Sequence, residues 1–353
     1  MKLELRRVTV PSPGAENARQ RWPERQSLLL RITDAQGRAG VGEAAPLPGY
    51  SSDALDDVEQ ALARLRSDDI ARALAAGPIR SVLGAFGRLV PATLPSGRMA
   101  LETAALDYVG QCELVSAPRL LGATHDAERP LAELVGSATA VDFAALCERA
   151  IHGGFRQLKV KLGVPGQLDA ELMALQATAA RLGKAVSFRV DANQALDLAE
   201  VERAWLTLEA LDLELFEEPG ALGPALTLTL PLALDESLQG LDVAGAMQRL
   251  VTTGARFAVL KPTALGGLEH CLQLAERAAE VSVRALVSHC FEGPVAFRAA
   301  AALALALPAR IAHGLAPHPA LKGWPDAELP VERGWLKTWQ APGLGYASGS
   351  AFE

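Results

Sequence analysis

The chain has 353 residues, of which 50% are hydrophobic and 21% charged, so it can build a large core. Its formal net charge is −7 and it has no basic stripe with interleaved aromatic residues, so we expect neither nucleic acid nor membrane as a partner. Four widely spaced cysteines without a CxxC pair, and an amino terminus without an apolar signal core, predict a cytoplasmic protein.

The first 125 residues predict a small α+β unit. Residues 27–33 and 40–44 are strand candidates on either side of the turn residues 34–37. Apolar residues recur at helical spacing in 53–66 and again in 98–112. A few strands followed by helices are typical of an α+β domain, so we predict one over residues 1–125.

From about residue 131 the chain alternates between strand and helix patterns. The strand candidates are 134–137, 157–162, 186–190, 213–216, 232–234, 257–260, 284–288 and 310–312; the helix candidates are 140–152, 168–182, 198–211, 243–253, 268–279 and 293–307. Eight strands with mostly helical connections favour a β/α barrel over residues 126–320. A doubly wound open sheet is the alternative, but it would need a ligand crevice at a switch point. The remaining residues, 321–353, carry three tryptophans and are predicted to pack back against the first domain.

Charged residues follow five consecutive apolar runs, at the points where buried strands should end. These segments are Lys159-Val160-Lys161, Asp191-Ala192-Asn193, Glu217-Glu218-Pro219, Asp235-Glu236-Ser237 and Lys261-Pro262. Charges beside a core are costly unless they pair or hold a metal. Each segment alone is explained by helix capping, a turn or a solvated strand face. Because the carboxyl ends of barrel strands face one mouth, their ordered succession indicates one active site.

The three carboxylates at these strand ends predict a metal site. Asp191, Glu217 and Asp235 would project from neighbouring strands and repel one another, and a divalent cation would relieve that repulsion. Oxygen ligands without thiolate or imidazole favour Mg²⁺ or Mn²⁺ over zinc. Asn193 lies two residues after Asp191 and points to the same side, so it could supply a supporting hydrogen bond.

The lysines predict proton transfer. Lys159 and Lys161 face the same side of one strand, and Lys261 would stand across the ring from them. A lysine near a divalent cation and other ammonium groups has a lowered pKa and can act as a base. A small-molecule carboxylate bound to the metal would have an acidified α-proton, so we expect proton abstraction next to that carboxylate.

This ordered set of residues resembles the enolase superfamily, in its muconate-lactonizing subgroup, over nearly the whole chain. The resemblance implies an α/β fold, in which a modified TIM barrel of the (β/α)7β type carries an α+β capping domain. It also implies that the Mg²⁺ ligands are Asp191, Glu217 and Asp235.

The same resemblance assigns roles to the lysines. It implies that Lys161 is the acid/base residue, that Lys159 supports it, and that Lys261 stabilises an enediolate from the other face. Glu218 and Glu236 are then expected to pair with the lysines instead of binding the metal.

Residues 40–51 look like the loop that covers the substrate in o-succinylbenzoate synthases and their relatives. Its candidate substrate contacts are Leu47, Pro48 and Tyr50, and prolines and glycines there fit a shaped lid. An ordinary strand-to-helix loop is the alternative. Arg98, in the segment 95–104 that is also similar to this family, could meet a substrate carboxylate or form a surface ion pair.

The segments at the last two predicted strands indicate which substrate charge the site would accept. Ser288 and the free amides of 287–294 could bind an anionic group. His289 is either an acid/base at neutral pH or a hydrogen-bonded structural histidine, and His289-Cys290 departs from the small or hydroxyl residues of many relatives. Residues 311–315 lack the DxD with which dipeptide epimerases hold an ammonium group, and the Gly314 amide suits a carboxylate.

These features favour an o-succinylbenzoate synthase, which carries out a syn-dehydration in menaquinone biosynthesis. N-succinylamino-acid racemization, another epimerization and muconate cycloisomerization are the alternatives within the superfamily. A catalytically inactive barrel that binds a partner is a remote alternative. The sequence leaves a homo-oligomer open, because it has no heptad pattern from which an oligomeric state could be inferred.

Overall fold

A computed structural model describes residues 1–15, 20–211, 213–221, 229–308, 311–325 and 327–346. The chain begins with an antiparallel sheet in the order β1-β2-β3. Its strands are β1 (Lys2–Pro11), β2 (Glu24–Thr33) and β3 (Ala39–Ala44). The helices that follow are α1 (Leu55–Ala63), α2 (Ser67–Leu74), α3 (Ile79–Gly87), α4 (Pro95–Glu113) and α5 (Ala117–Leu120). The two strands and two helices predicted here are confirmed, whereas β1, α2 and α3 lacked a clear sequence signal.

The sheet packs against α4 so closely that β3 tolerates no side chain at two positions. A Cβ atom on Gly42 would lie 1.8 Å from the carbonyl oxygen of Ala100, and one on Gly40 would lie 2.2 Å from that of Ala104. Both distances are impossible for real atoms, so glycine is required at each position. This contact fixes the orientation of β3 and of the loop that follows it.

The second sheet has seven parallel strands in the order β5-β6-β7-β8-β9-β10-β11. They are β5 (Ala132–Ser137), β6 (Gln157–Lys161), β7 (Ser187–Asp191), β8 (Leu213–Glu217), β9 (Leu232–Leu234), β10 (Phe257–Leu260) and β11 (Arg284–Val287). β4 (Glu128–Pro130) precedes them. Lys161 pairs with Asp191, and Asp191 pairs with Glu217, so the charged strand ends meet at one edge.

Helices connect most of these strands. They are α6 (Phe143–His152), α7 (Leu168–Leu182), α8 (Leu198–Leu208), α9 (Val243–Thr252), α10 (Pro262–Leu265), α11 (Leu268–Glu280) and α12 (Pro294–Ala306). All six predicted helices are confirmed to within a few residues. Within the described ranges, no helix combines the length and apolarity that a bilayer crossing needs.

The predicted eighth strand, 310–312, is corrected. Arg310 lies outside the described residues, and Ile311 and Ala312 are not in a strand; a single parallel bridge joins Leu131 to His313. The His313 amide donates to Pro130 (2.9 Å) and the Gly314 amide donates to Val287 (2.8 Å). His313 Nδ1 also accepts the Val287 N–H at 2.9 Å. The His313 imidazole therefore accepts the Val287 amide hydrogen, which the carbonyl of a neighbouring strand would otherwise accept. This explains why residues 311–312 form no strand pairing with β11.

The carboxyl-terminal segment contacts both parts of the chain. β13 (Trp335–Lys337) pairs with β4 as well as with β12 (Val331–Glu332). Further on, the Gly343 carbonyl accepts the Ala117 amide hydrogen at 2.7 Å, at the start of α5. The segment thus contacts the start of α5, and its strand extends along β4.

Two buried charged residues attach the first sheet to the loop after β11. Arg25 donates to the carbonyls of Ala45 (2.8 Å) and Phe291 (3.1 Å). Glu43 accepts the Gly293 amide at 2.7 Å, where α12 begins. A carboxylate at a helix amino terminus is favoured by the unpaired amides there. These bonds position residues 45–51 over the carboxyl end of the parallel sheet.

The burial of the Glu102 side chain predicts that the free energy of unfolding depends on pH. Its carboxylate lies buried in α4 and accepts the Glu269 amide at 2.8 Å, where α11 begins, and burial raises its pKa to about 8. The buried carboxyl of Glu102 keeps its proton in the folded state up to about pH 8, whereas the unfolded chain loses that proton at about pH 4.3. The free energy of unfolding should therefore fall as the pH rises from about 4.3 to about 8. The slope from this residue is at most about 1.4 kcal/mol per pH unit. Urea unfolding of wild type and Glu102→Gln across this range measures it.

The Glu102→Gln variant mimics the protonated carboxyl and cannot ionise. Its free energy of unfolding should therefore lack the part of the slope that Glu102 contributes. Equal slopes for the two proteins would show that Glu102 is already ionised in the folded state near pH 5.

Candidate active site

The end of β6 places two ammonium groups against two buried carboxylates. Lys159 Nζ donates to both oxygens of Glu217, at 2.8 and 2.7 Å, and lies 2.8 Å from Asp191 Oδ2. Lys161 Nζ lies 2.6 Å from the same Asp191 oxygen and donates to Asn193 Oδ1 at 2.9 Å. The alternation of β6 puts both lysines on one side, as predicted.

A second ion pair forms across the sheet, at the end of β10. Lys261 Nζ lies 2.5 Å from Asp235 Oδ2 and donates to the Tyr50 hydroxyl at 2.7 Å. That hydroxyl in turn donates to Asp235 Oδ1 at 2.9 Å. Three strands separate β10 from β6, so Lys161 and Lys261 approach the space between them from different sides. Tyr50 brings the lid residues 45–51 into direct contact with this pair.

The second acidic residue of each doublet does not pair with a lysine, which corrects the expectation. Glu218 accepts the amide hydrogens of Asp235 (2.7 Å) and Ser237 (2.8 Å). Glu236 accepts from Asn193 Nδ2 at 2.9 Å, and its other oxygen is buried without a protein partner among the described residues. Glu218 therefore fixes the backbone that carries Asp235, and Glu236 orients Asn193.

Burial and ion pairing set the protonation of the carboxylates. Burial acts to raise the pKa of Asp191, but the Lys159 and Lys161 charges outweigh it and hold that pKa well below its usual range. Burial and the Asp191 charge raise the pKa of Glu217 to about 7. Burial also raises the pKa of Asp235 to about 6, although the Lys261 charge opposes it. The lysines therefore compensate these carboxylates unequally.

The pKa values of Lys159 and Lys261 run opposite to the expectation of lowered values. Burial acts to lower the pKa of Lys159, but the Asp191 and Glu217 charges outweigh it and raise it above the usual range. Asp235 likewise outweighs burial and raises the pKa of Lys261. Lysine basicity near neutral pH thus requires that another cation take up part of the carboxylate charge.

The donor set suits a hard divalent cation. Asp191, Glu217 and Asp235 are buried at the ends of three adjacent strands and offer only oxygen ligands. Across the described ranges, however, no three His, Cys, Asp or Glu side chains already converge as a metal site. The carboxylates face lysine ammonium groups instead. The ligand chemistry of these three carboxylates fits Mg²⁺.

A cavity of about 2140 Å³ opens beside these residues. The predicted site residues that line it are Leu47, Tyr50, Lys159, Lys161, Asn193, Glu217, Lys261, Ser288, His289 and Gly314. Pro48 does not line it; its carbonyl accepts the Trp22 indole N–H at 2.9 Å and so anchors the lid. Arg98 lies on α4 beside Gly266, away from the lining residues.

Further cavity residues were missed by the sequence analysis, Arg189, Trp22 and His318 among them. Arg189 lies two residues before Asp191 on β7, and its Nε donates to Glu214 at 2.8 Å. The period of two along β7 could have revealed it. Trp22 and His318 also line the cavity, but no local pattern marks them, because they enter from distant parts of the chain.

Comparison with known proteins identifies the family. A family model described as "Enolase C-terminal domain-like" matches residues 142–348, more than half of the chain. The chain belongs to the enolase superfamily. The muconate lactonizing enzyme from Pseudomonas putida shares its fold, with a TM-score of 0.81 over 98% of this chain and 95% of that one, at 21% identity.

Relatives with different reactions match to a similar extent. The o-succinylbenzoate synthase of Thermosynechococcus vestitus is 30% identical over 286 residues, which cover 78% of this chain and 79% of the relative. A dipeptide epimerase from Methylococcus capsulatus, solved with Mg and the dipeptide L-Arg-D-Lys, is 25% identical with a TM-score of 0.78, and the match covers 98% of both chains. These matches establish the superfamily, and they are divided among relatives that carry out different reactions.

Removing Lys159 should destabilise the chain, because the buried Glu217 would lose its lysine partner and Asp191 would keep only Lys161. We expect Lys159→Met to lose about 3–5 kcal/mol of unfolding free energy. Urea unfolding at pH 8 in the presence of EDTA measures this loss. The control, Lys337→Met, breaks an exposed ion pair with Glu128 and should cost about 0–1 kcal/mol. Equal losses in both variants would contradict the buried pairing.

Proposed function

We propose that this chain is an o-succinylbenzoate synthase, a hydro-lyase of menaquinone biosynthesis. It would convert 2-succinyl-6-hydroxy-2,4-cyclohexadiene-1-carboxylate by syn-dehydration, through an enediolate. The observation that carries the choice of substrate lies at Gly314, which lines the cavity next to Ser288: a Cβ at Gly314 would lie 2.8 Å from Ser288 Oγ. Residues 311–315 contain no carboxylate, so this wall suits an anionic substrate better than an ammonium group.

We also propose a closed barrel of the (β/α)7β type with an α+β cap. It is supported by the Pro130, Ala132 and Val287 hydrogen bonds of residues 313–314, which lie between the two edges of the parallel sheet. We assign residues 1–125 to the cap, 126–320 to the barrel and 321–353 to the returning segment. The contacts of Arg25 and Glu43 with the loop after β11 support a cap that closes over the barrel mouth.

We assign Asp191, Glu217 and Asp235 as ligands of Mg²⁺, for which Mn²⁺ would substitute. When bound, the cation supplies positive charge that stabilises negative charge developing on the substrate carboxylate. Their all-oxygen chemistry, burial and position on adjacent strands support the assignment. The Asn193 and Glu218 hydrogen bonds would keep the carboxylates oriented.

Proton transfer is assigned to Lys161. Its Nζ is held by Asp191 and Asn193 at the cavity surface. As the free amine it would remove the α-proton, and the resulting ammonium would return a proton to the departing hydroxide. One residue acting on one face gives a syn elimination. Lys159 fixes Glu217 and adds positive charge beside Lys161.

Lys261 acts from the other side of the cavity. Its ammonium group, held by Asp235 and Tyr50, would stabilise the enediolate electrostatically. Leu47 and Tyr50 of the lid line the same cavity and would exclude water while the charged intermediate exists.

The reaction is tested by incubating the purified enzyme with Mg²⁺ and the cyclohexadiene substrate. We expect formation of o-succinylbenzoate, monitored by its absorbance, and a loss of at least about 10³-fold in kcat for Lys161→Ala. Lys184→Ala, at an exposed lysine, should leave kcat unchanged. Absence of the product in the wild type would refute the synthase proposal.

The metal assignment is tested separately. EDTA should abolish turnover and added Mg²⁺ should restore it, because the carboxylate charge must be compensated for the lysines to act as bases. Asp235→Asn should weaken Mg²⁺ binding by about 10-fold or more in calorimetry. Full activity in excess EDTA would contradict a metal-dependent reaction.

A racemase of N-succinylamino acids is the second candidate. The observation that favours it is the placement of Lys161 and Lys261 on different sides of the cavity, since racemization needs a proton donor on each face. Deuterium exchange at the α-carbon of N-succinyl-phenylglycine in D₂O, without dehydration of the cyclohexadiene, would replace the synthase proposal with this one. Loss of exchange from one enantiomer only in Lys261→Ala would support it further.

A further inference from the structure

His289 presents a fixed hydrogen-bond donor. It follows Ser288 after β11 and its ring lines the cavity. Its Nδ1 accepts the Phe291 amide hydrogen at 3.1 Å. A neutral imidazole carries one proton, so acceptance at Nδ1 places that proton on Nε2. Nε2 makes no hydrogen bond to any described residue and is not among the buried unpaired atoms, so it remains accessible for a ligand.

Aromatic packing holds this ring in place. His318 stacks on it, with ring centroids 4.3 Å apart and an interplanar angle of 26°. Phe291 and Phe297 meet it at their edges, at 5.2 and 5.6 Å. Burial, the neighbouring His318 and the lysine charges lower the pKa of His289 well below its usual value. The ring is therefore neutral and rigid, and its Nε2–H cannot readily change its direction.

The charged side chains that line the cavity with His289 favour the binding of an anion. Arg21 and Lys322 line the same cavity. Arg21 precedes Trp22, whose ring lies 6.0 Å from that of Phe291, and Lys322 belongs to the short helix Pro319–Gly323 that begins after His318. Both cations therefore come from segments that adjoin the histidine pair. Glu328 also lines the cavity, so cations predominate in this group.

We propose that His289 Nε2–H binds the distal carboxylate of a substrate that carries a second carboxylate on a side arm. His289 is then a specificity-determining residue and not an acid/base. His318 is a positioning residue that acts through its stacking on His289. The inference rests on the proposed function only in taking that side arm to be a succinyl group.

The experiment compares two probes that differ only at the distal group: 2-succinylbenzoate and 2-butyrylbenzoate, which has a methyl group in place of the carboxylate. Calorimetry with the Mg²⁺-loaded enzyme should show that wild type binds the succinyl probe at least about tenfold more tightly. His289→Phe keeps a stacked ring and should lose this preference. His125→Phe, at an exposed histidine, should retain it.

Further variants separate donation from packing. His289→Gln keeps an N–H donor and should retain part of the preference, whereas a preference that survives unchanged in His289→Phe overturns the proposal. His318→Phe retains the stack and should keep the preference, and His318→Ala should reduce it. The pH profile of kcat/KM should keep its shape in His289→Phe; loss of one limb would show an acid/base role and overturn the inference.

The outcome is independent of the synthase assay. If the wild-type enzyme prefers the succinyl probe but does not dehydrate the cyclohexadiene substrate, the proposed carboxylate subsite stands and the synthase proposal is refuted. A wild type that dehydrates its substrate but does not distinguish the probes, or binds neither, overturns the subsite and leaves the synthase in place.

Discussion

The structure of the site depends on the mutual neutralisation of buried charges. Asp191, Glu217 and Asp235 are almost completely buried, and each has a lysine ammonium within 3 Å. Neither the carboxylates nor the lysine ammonium groups could be buried alone, because an unpaired charge in the interior costs several kcal/mol. The parallel register brings them together, since it aligns the ends of β6, β7 and β8. The chemistry we propose exploits this balance, because any added cation redistributes charge among groups that are already close.

The amino-terminal sheet is attached to the same part of the molecule by buried charged residues. Arg25 and Glu43 lie in the first sheet, yet their partners are backbone groups of the loop between β11 and α12. The same loop carries Ser288 and His289. Residues 45–51, which begin where Arg25 holds Ala45, end near Tyr50 on the Lys261–Asp235 pair. A displacement of the first sheet would therefore disturb residues 45–51, the wall of the cavity and the Lys261–Asp235 pair together.

The residues to which we assign proton transfer and those to which we assign substrate discrimination lie in different parts of the molecule. Proton transfer is assigned to charged residues at strand ends, which share one register and one environment. Discrimination among substrates is assigned to Ser288, Gly314 and His289, which lie in irregular segments around the last two positions of the barrel. The matches to a synthase, an epimerase and a lactonizing enzyme agree with this separation, since the fold is common to proteins with different reactions.

The sequence alone determined the seven parallel strands, most helices and the charged strand ends, because apolar periodicity and chain order are local properties. It could also indicate which residues gather at one mouth, since parallel strands align their carboxyl ends. Only the tertiary structure decided which groups these side chains contact: Glu218 holds the Asp235 backbone instead of a lysine, and the His313 ring accepts the Val287 amide hydrogen at the end of β11. The partners of Arg25, Trp22 and His318 come from distant parts of the chain. Such contacts depend on packing between elements, which no local pattern in the sequence encodes.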